Sequence, residues 1–153
     1  MNKYMEVANE LATENLTTNN GGPFGACIVK DGLIIGKGSN HVLGNNDPTA
    51  HAEVEAIRDA CKNINSYDLS GCELYTSCYP CPMCLSAIIW SNIKVIYYGN
   101  TKEDAEEIGF RDNMIYNFFK GENKELLKIE CINREETKKV FDEYVKKEDK
   151  TIY

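Results

Sequence analysis

Hydrophobic and polar positions along the chain predict helices and strands in turn. Residues 4–16 place apolar side chains at helical spacing with glutamates on the opposite face, which predicts an amphipathic helix that Gly21-Gly22-Pro23 ends. The short apolar runs 24–29 and 33–35 flank Asp31-Gly32, a dipeptide typical of tight β-hairpins. The chain therefore begins with a helix followed by a hairpin.

The rest of the chain continues this alternation. Pro48 suits the first turn of a helix that is capped by Asp47 or Thr49 and runs to about Cys61. The other predicted elements are a strand over 72–76, a helix entered through Pro80 and Pro82 that ends at Trp90, a buried strand over 93–98, an acidic helical segment from Lys102, a strand over 126–132 and a charged helix from about 134 to 147. This order predicts a single α/β domain over residues 1–153, with three α/β/α layers around a central mixed five-stranded sheet.

Composition and charge narrow the class of protein. No apolar stretch approaches the roughly 20 residues of a membrane span, and acids lie where a secretory signal would be apolar, so we expect neither a membrane nor a secreted protein. The net charge of −7 falls entirely on residues 1–119. Proteins that grip a phosphate backbone carry a basic stripe, which this chain lacks. We therefore expect a small substrate rather than a nucleic acid.

The cysteines point to metal chemistry in a reducing compartment. Seven cysteines, an odd number, indicate reduced thiols in the cytoplasm, some of which can be metal ligands. Cys81 and Cys84 lie three apart at a predicted helix start, where both sulfurs can reach one metal and the helix dipole favours thiolates. With His51 they form the ligand set of a catalytic zinc whose fourth position stays open.

Glu53 follows His51 by two residues, and positions i and i+2 of a regular helix point in different directions. His51 must therefore lie at the very start of its helix if Glu53 is also to reach the open position of the metal. His-x-Glu followed by Pro-Cys-x-x-Cys is the signature of zinc nucleobase deaminases. Cys78 extends the cysteine spacing towards an iron–sulfur motif, but Ile88 stands where the fourth cysteine would be, so we predict no cluster. We interpret Cys78 as a residue at a strand end or as one that supports the metal ligands from outside.

Further segments extend this match over most of residues 22–116. They are Gly22 to Ala26, Asn46 to Val54, Leu74 to Cys78, Pro80 to Cys84, Ala87 to Trp90, Gly109 to Asp112 and Ile115-Tyr116. In these segments the chain resembles the cytidine deaminase superfamily, and within it the bacterial-type guanine deaminases. The resemblance implies a cytidine deaminase-like fold and zinc-dependent hydrolysis of guanine to xanthine and ammonia.

The resemblance also implies a role for each matching residue. One Zn²⁺ per chain would be held by His51, Cys81 and Cys84, with Glu53 as the proton shuttle. In the base pocket, Phe24 and Trp90 would line the faces of the base, Asn40 and the backbone of Ala52 would hydrogen-bond it, and Asp112 would contact the exocyclic amine and help to protonate it as it leaves.

The C-terminal region and the position before Pro80 each lead to a further expectation. The resemblance implies a homodimer in which the segment from about residue 134 closes the pocket of its own or the partner subunit, and Tyr153 is the candidate for the closing tyrosine. Tyr79 stands where the family usually carries glutamate, so the hydrogen bonds beside the ligands should differ here.

Two rival functions stay open on the sequence alone. A tRNA adenosine deaminase shares the zinc motif, although the net charge of −7 and the segment around Asp112 argue against it. A zinc-stabilised interaction module would need neither Glu53 nor an open metal position.

Overall fold

A computed structural model describes all residues from Met1 to Tyr153. Its elements are helices α1 (Lys3–Thr18), α2 (Ala52–Ile64), α3 (Pro82–Trp90), α4 (Lys102–Glu107), α5 (Asp112–Phe119) and α6 (Arg134–Lys146), strands β1 (Gly25–Lys30), β2 (Leu33–Ser39), β3 (Glu73–Cys78) and β4 (Val95–Asn100), and a 3₁₀ turn at Lys124–Leu126. None of the six helices combines the length and the apolar composition that a membrane span requires.

The chain divides into two compact units, Met1–Tyr116 and Asn117–Tyr153. The first holds the whole sheet and helices α1 to α4, and the boundary falls within α5. The second holds the 3₁₀ turn and α6, whose apolar side chains Phe141 and Val145 are exposed. A single domain over residues 1–153 stays a prediction.

The sheet is mixed and lies between two helical layers. Its strand order is β2-β1-β3-β4, with β1 antiparallel to both neighbours and β4 parallel to β3. Side chains alternate across a strand, so Ala26 and Ile28 pack with residues of α2 and α3, whereas Cys27 and Val29 pack against α1. The three predicted layers are therefore present in the first unit.

The prediction of five strands is wrong, because the sheet has four. The apolar alternation over 126–132 favours an extended chain, and Leu127 does adopt extended backbone angles. Residues 127–132 nevertheless pair with no strand. Alternation predicts the local conformation of a segment, but a strand also needs a neighbour whose backbone groups are free.

Strand β4 was expected to be buried, and that expectation is also wrong. It is an edge strand, and the side chains of Val95, Tyr97 and Tyr98 are 40%, 45% and 48% exposed. Tyr97 stacks on Tyr75 of β3, with ring centroids 4.7 Å apart. Branched and aromatic residues favour strands whether the strand is central or at an edge, so composition did not distinguish the two.

Helix α2 begins later than Pro48. The carboxylate of Asp47 accepts hydrogen bonds from the backbone N–H and the hydroxyl of Thr49, which makes a separate turn before the helix. His51 is the residue that precedes α2 instead. The helix then runs close to β2, where a Cβ added to Gly38 would lie 2.2 Å from the carbonyl oxygen of Ala52. Glycine at this position lets the first turn of α2 lie directly on the strand backbone.

Candidate metal centre and active-site cavity

Two helix N-termini meet at the candidate metal centre. His51 caps α2 and Cys81 caps α3, and both have extended backbone angles, with ψ of 157° and 168°. Pro82 fills the first position of α3, where its fixed φ suits the helix and no N–H is needed. The prediction that His51 lies at the very start of its helix is therefore confirmed.

The predicted ligands come together. The Nδ1 atom of His51 lies 3.5 Å from Cys81 Sγ and 3.6 Å from Cys84 Sγ, and the three ligand atoms lie within 4.8 Å of one another. Tetrahedral zinc with ordinary bond lengths places a nitrogen and a sulfur ligand about 3.6 Å apart. The donor set and its spacing fit one zinc ion with a fourth position left for a small molecule.

The electrostatics of this centre favour the thiolate form of Cys81, whereas the hydrogen bond with Cys81 and then burial raise the pKa of the Cys84 thiol. Hydrogen bonds from Cys84 and then from His51 lower the pKa of the Cys81 thiol well below its usual range, although burial acts against them. The positive ends of α2 and α3 add to this effect, because unpaired N–H groups at a helix N-terminus stabilise a nearby thiolate. The hydrogen bond with Cys81 correspondingly raises the pKa of His51.

Glu53 lies beside the ligands and is buried. Thr76 lies with its Oγ1 3.0 Å from Glu53 Oε1, and Cys84 Sγ lies 3.4 Å from Glu53 Oε2. Burial raises the pKa of the Glu53 carboxyl, an effect that the hydrogen bonds to its own backbone N–H, to Cys84 and to Thr76 oppose. The raised pKa makes the Glu53 carboxylate easier to protonate, which suits a general acid–base group that takes up a proton and returns it.

A cavity of about 490 Å³ opens over this centre. Its lining includes His51, Glu53 and Cys81 of the candidate metal centre, together with Phe24 and Asn40. The side-chain oxygen of Asn40 accepts a hydrogen bond of 3.1 Å from the Val42 N–H, which leaves its NH₂ group to donate to a ligand. The cavity is thus a mostly apolar slot with a few polar groups, as small-molecule sites usually are.

Asp112, the first residue of α5, lines the same cavity as Glu53. It is half-buried, and burial followed by the negative charge of Cys81 raises the pKa of its carboxyl. The two carboxyl groups therefore belong to one site, although they lie 59 residues apart in the sequence.

Two residues of the predicted base pocket lie outside the cavity walls. Trp90, the last residue of α3, is 67% exposed and does not line the cavity. Ala52 is fully buried, and its side chain packs in the core between α2 and the sheet. Its backbone N–H lies in the first turn of α2, where helices lack internal acceptors, so the predicted hydrogen bond to the base concerns a group that the helix does not use.

The cavity also includes residues that were not predicted from the sequence. Phe110 packs edge-on against Phe24, with ring centroids 4.7 Å apart, and the ring of Tyr79 lines the wall beside Cys81. A Cβ added to Gly22 would lie 2.6 Å from the Phe110 ring, so this glycine allows the two aromatic rings to meet. Phe110 belongs to the Gly109 to Asp112 segment that carries the family resemblance, and that was the signal for its role.

Comparison with known proteins identifies the family. Residues 1–100 match the model of the cytidine and deoxycytidylate deaminase zinc-binding region. This chain belongs to that deaminase family. The match includes the His-x-Glu and Pro-Cys-x-x-Cys segments, so the family assignment and the ligand geometry rest on the same residues.

Individual members of the deaminase family are similar over most of the chain. A guanine deaminase from Bacillus subtilis is 55% identical over 113 residues, which are 74% of this chain and 72% of that protein. A tRNA-specific adenosine deaminase from Buchnera aphidicola is 39% identical over 71% of this chain and 74% of its own. The X-ray structure of guanine deaminase from Bacillus subtilis superposes with a TM-score of 0.93 at 44% identity and covers 100% of this chain and 99% of its own.

Proposed function

We propose that this deaminase hydrolyses guanine to xanthine and ammonia. The observation that carries the proposal is the presence of two carboxyl groups, Glu53 beside the metal ligands and Asp112, in the lining of one largely apolar cavity. The similarity to a guanine deaminase at 55% identity supports the choice of base. Zinc supplies the Lewis acid, and when bound it makes water a nucleophile near neutral pH.

Glu53 moves the proton in this mechanism. Its carboxylate takes a proton from the attacking water and delivers it to N3 of guanine, which makes C2 electrophilic. The hydroxyl group then adds to C2. A carboxylate takes the proton of the C2 hydroxyl and a carboxyl group delivers a proton to the amine, so the C2–amine bond breaks and ammonia leaves as the C2 carbonyl of xanthine forms. General acid–base assistance of this kind typically contributes about 10² to 10⁴-fold. The burial of Glu53 supports this role, because it raises the carboxyl pKa and so makes the carboxylate a better proton acceptor.

The walls of the cavity would hold the base. Phe24 and Phe110 provide apolar surface for the purine, while the NH₂ group of Asn40 can donate to a ring nitrogen or carbonyl oxygen of the base. We propose that the backbone N–H of Ala52 adds a second donor. A base held by donors on one edge and a carboxylate on another can bind in one orientation.

Asp112 is proposed to contact the exocyclic amine. An ionised carboxylate accepts hydrogen bonds from an amine, and a protonated carboxyl can donate its proton as ammonia leaves. Burial raises the pKa of Asp112, which favours the protonated form more than in an exposed aspartate. Asp112 and Glu53 are therefore the two candidate proton donors to the leaving group.

Ammonia release is the direct test of this function. Zinc-loaded protein is incubated with guanine, adenine, cytosine, cytidine and a tRNA anticodon stem-loop, and ammonia is measured for each. We expect turnover of guanine, and loss of nearly all turnover in the Glu53→Gln variant. Turnover of another free base would keep the hydrolytic chemistry but change the substrate.

The same experiment separates guanine from tRNA as substrate. The tRNA-specific adenosine deaminase named above is 39% identical, so that activity is the second candidate. The net charge of −7 supports the small substrate, because phosphate binding needs basic side chains. Deamination of the stem-loop, together with a shift of tRNA in a gel assay, would establish the second candidate instead.

We also propose that the protein is a cytoplasmic homodimer. Ile89 and Trp90 at the end of α3 are 71% and 67% exposed, and large exposed apolar side chains favour association. All seven cysteines are free, which supports a reducing compartment. Light scattering of the purified protein at micromolar concentration should give twice the 17.3 kDa chain mass. Closure of the pocket by Tyr153 stays a prediction.

A further inference from the structure

Hydrogen bonds hold the chain on both sides of Pro80, the residue that precedes Cys81. On one side, the backbone N–H of Tyr79 donates to the carbonyl oxygen of Asn100, at the end of β4, over 2.8 Å. On the other side, the hydroxyl of Tyr116 donates to the carbonyl oxygen of Pro80, also over 2.8 Å. That carbonyl belongs to the peptide bond between Pro80 and Cys81. The orientation of this peptide determines where the Cys81 side chain starts.

Tyr116 and Asp112 are four residues apart on α5, so they lie on the same face of the helix one turn apart. The hydrogen bond from Tyr116 to Pro80 therefore connects the helix that carries Asp112 directly to the loop that carries Cys81. Burial raises the pKa of the Tyr116 phenol, which stays a hydrogen-bond donor at any working pH.

Lys102 reinforces this contact. Its Nζ lies 4.4 Å from the centroid of the Tyr116 ring and 5.1 Å from that of the Tyr79 ring. Tyr79 also packs edge-on against Tyr98 of β4, with centroids 5.0 Å apart. Lys102 is the first residue of α4, a position where the helix dipole disfavours a cation. The cation–π contacts of the Lys102 ammonium with the Tyr116 and Tyr79 rings compensate for this unfavourable position.

We propose that Tyr116 is a positioning residue, which with Lys102 and Tyr79 clamps the Pro80–Cys81 peptide to the helix that carries Asp112. Tyr79 thus has a function of its own beside Cys81, through the contact of its ring with Lys102. The clamp holds a metal ligand and a substrate-contacting carboxyl group in register, although neither Tyr116 nor Lys102 contacts the reacting atoms. As far as it concerns turnover, this inference rests on the proposed function.

Tyr116→Phe tests the clamp, because it keeps the ring and removes only the donor to Pro80. Residues that support metal ligands from outside typically change metal affinity or activity by about 10 to 100-fold when they are mutated. We expect zinc release to a chelator to become about tenfold faster. We also expect kcat for guanine to fall about tenfold, with KM within about threefold because Phe24 and Asn40 still hold the base. Lys102→Met should also make zinc release faster and lower kcat for guanine, each by less than Tyr116→Phe does.

Tyr4→Phe is the matched control. The Tyr4 hydroxyl donates to the carbonyl oxygen of Gly32 over 2.8 Å, and Lys3 lies 4.8 Å from the Tyr4 ring centroid. The control therefore removes the same kind of hydrogen bond beside the same kind of cation, but at the β1–β2 turn. Both variants should lose similar thermal stability, whereas only Tyr116→Phe should change zinc release and kcat.

The outcomes distinguish this inference from the proposed function. Equal zinc release rates in Tyr116→Phe and Tyr4→Phe would overturn the clamp and leave Tyr116 a structural residue. Faster zinc release in Tyr116→Phe, together with a wild-type protein that leaves guanine untouched, would support the clamp and reject guanine as the substrate. Zinc release requires no substrate, so the two results are independent.

Discussion

The hydroxyl of Thr76 lies 3.0 Å from Glu53 Oε1 and 3.2 Å from the carbonyl oxygen of Cys78. It can donate to Glu53 when the carboxyl group is ionised, and to Cys78 when Glu53 is protonated and becomes the donor. Thr76 and Glu53 are buried, at 1% and 6% exposure, and both have hydrogen-bond partners. Because the Thr76 hydroxyl can donate or accept, Glu53 keeps its hydrogen bond with Thr76 in both protonation states. This arrangement suits a group that gains and loses a proton in each cycle.

Thr76→Val should lower kcat with little effect on KM. Valine has nearly the same shape but cannot donate, and a hydrogen bond to a charged group contributes about 1.5–3 kcal/mol. We expect kcat for guanine to fall by about 10 to 100-fold. Thr76→Ser keeps the hydroxyl and should retain most activity. Steady-state kinetics of both variants provide the check, and equal activity of the two would remove Thr76 from the proton pathway.

Glu53→Gln should keep zinc and lose turnover. Glutamine matches glutamate in size but cannot take the proton from water, so we expect kcat to fall by about 10² to 10⁴-fold with the metal content unchanged. Elemental analysis and ammonia release measure the two quantities on one sample. Glu55→Gln is the control, because Glu55 lies in the same first turn of α2 and pairs with Arg58 at 2.6 Å. Retained activity in Glu53→Gln would exclude Glu53 as the proton shuttle.

Cys84→Ala should lose both metal and activity. Its sulfur is one of the three grouped ligand atoms, and two ligands hold zinc far more weakly than three. Cys72→Ala provides the comparison, since Cys72 is a buried cysteine of the core that lies outside the ligand group. We expect one zinc per chain in wild type and Cys72→Ala, and almost none in Cys84→Ala. Full zinc occupancy in Cys84→Ala would contradict the ligand assignment.

Cys27 should make the protein less stable at alkaline pH. Burial raises the pKa of this thiol to about 11 from its ordinary 9.0. Between these values the unfolded chain loses a proton that the folded protein keeps, so the free energy of unfolding falls as the pH rises. The contribution of Cys27 between pH 8 and 10.5 is about 2 kcal/mol.

Urea unfolding of zinc-loaded protein at these two pH values measures the effect. In wild type the free energy of unfolding should fall between the two pH values, and in Cys27→Ala this fall should be smaller by about 2 kcal/mol, because the titrating thiol is absent. Cys131→Ala, which changes an exposed cysteine, should behave like wild type. Identical decreases in wild type and Cys27→Ala would show that the Cys27 thiol titrates alike in the folded and unfolded chain.

Local signals predicted most of the first unit. The helical spacing of residues 4–16 and the Asp31-Gly32 turn gave α1 and the hairpin, and the spacing between His51 and Glu53 required a helix start that the structure confirms. These features depend on neighbours in the sequence, so the sequence contains the information needed to predict them.

Features that depend on distant partners were harder to predict. The run over 126–132 has the alternation of a strand but no partner, and the capping residues expected at Asp47 and Thr49 hydrogen-bond each other. The contact of Tyr116 with Pro80 joins residues 36 positions apart, and no periodicity indicates it. The location of Trp90 was likewise not evident from its neighbours in the sequence, because its side chain is exposed at the end of α3 and does not line the cavity.

The close approach of α2 to β2 has a consequence for how the protein acquires its metal. At Gly38 the backbone of β2 lies directly against the backbone of α2. Changes of side-chain rotamer therefore cannot alter the distance between helix and strand at this point. His51 is thus preorganised, so metal capture should require little ordering of the chain and little loss of conformational entropy. Unlike a zinc finger, which folds only around its ion, this scaffold should stay folded when it is stripped of metal and gain stability in proportion to the logarithm of free zinc.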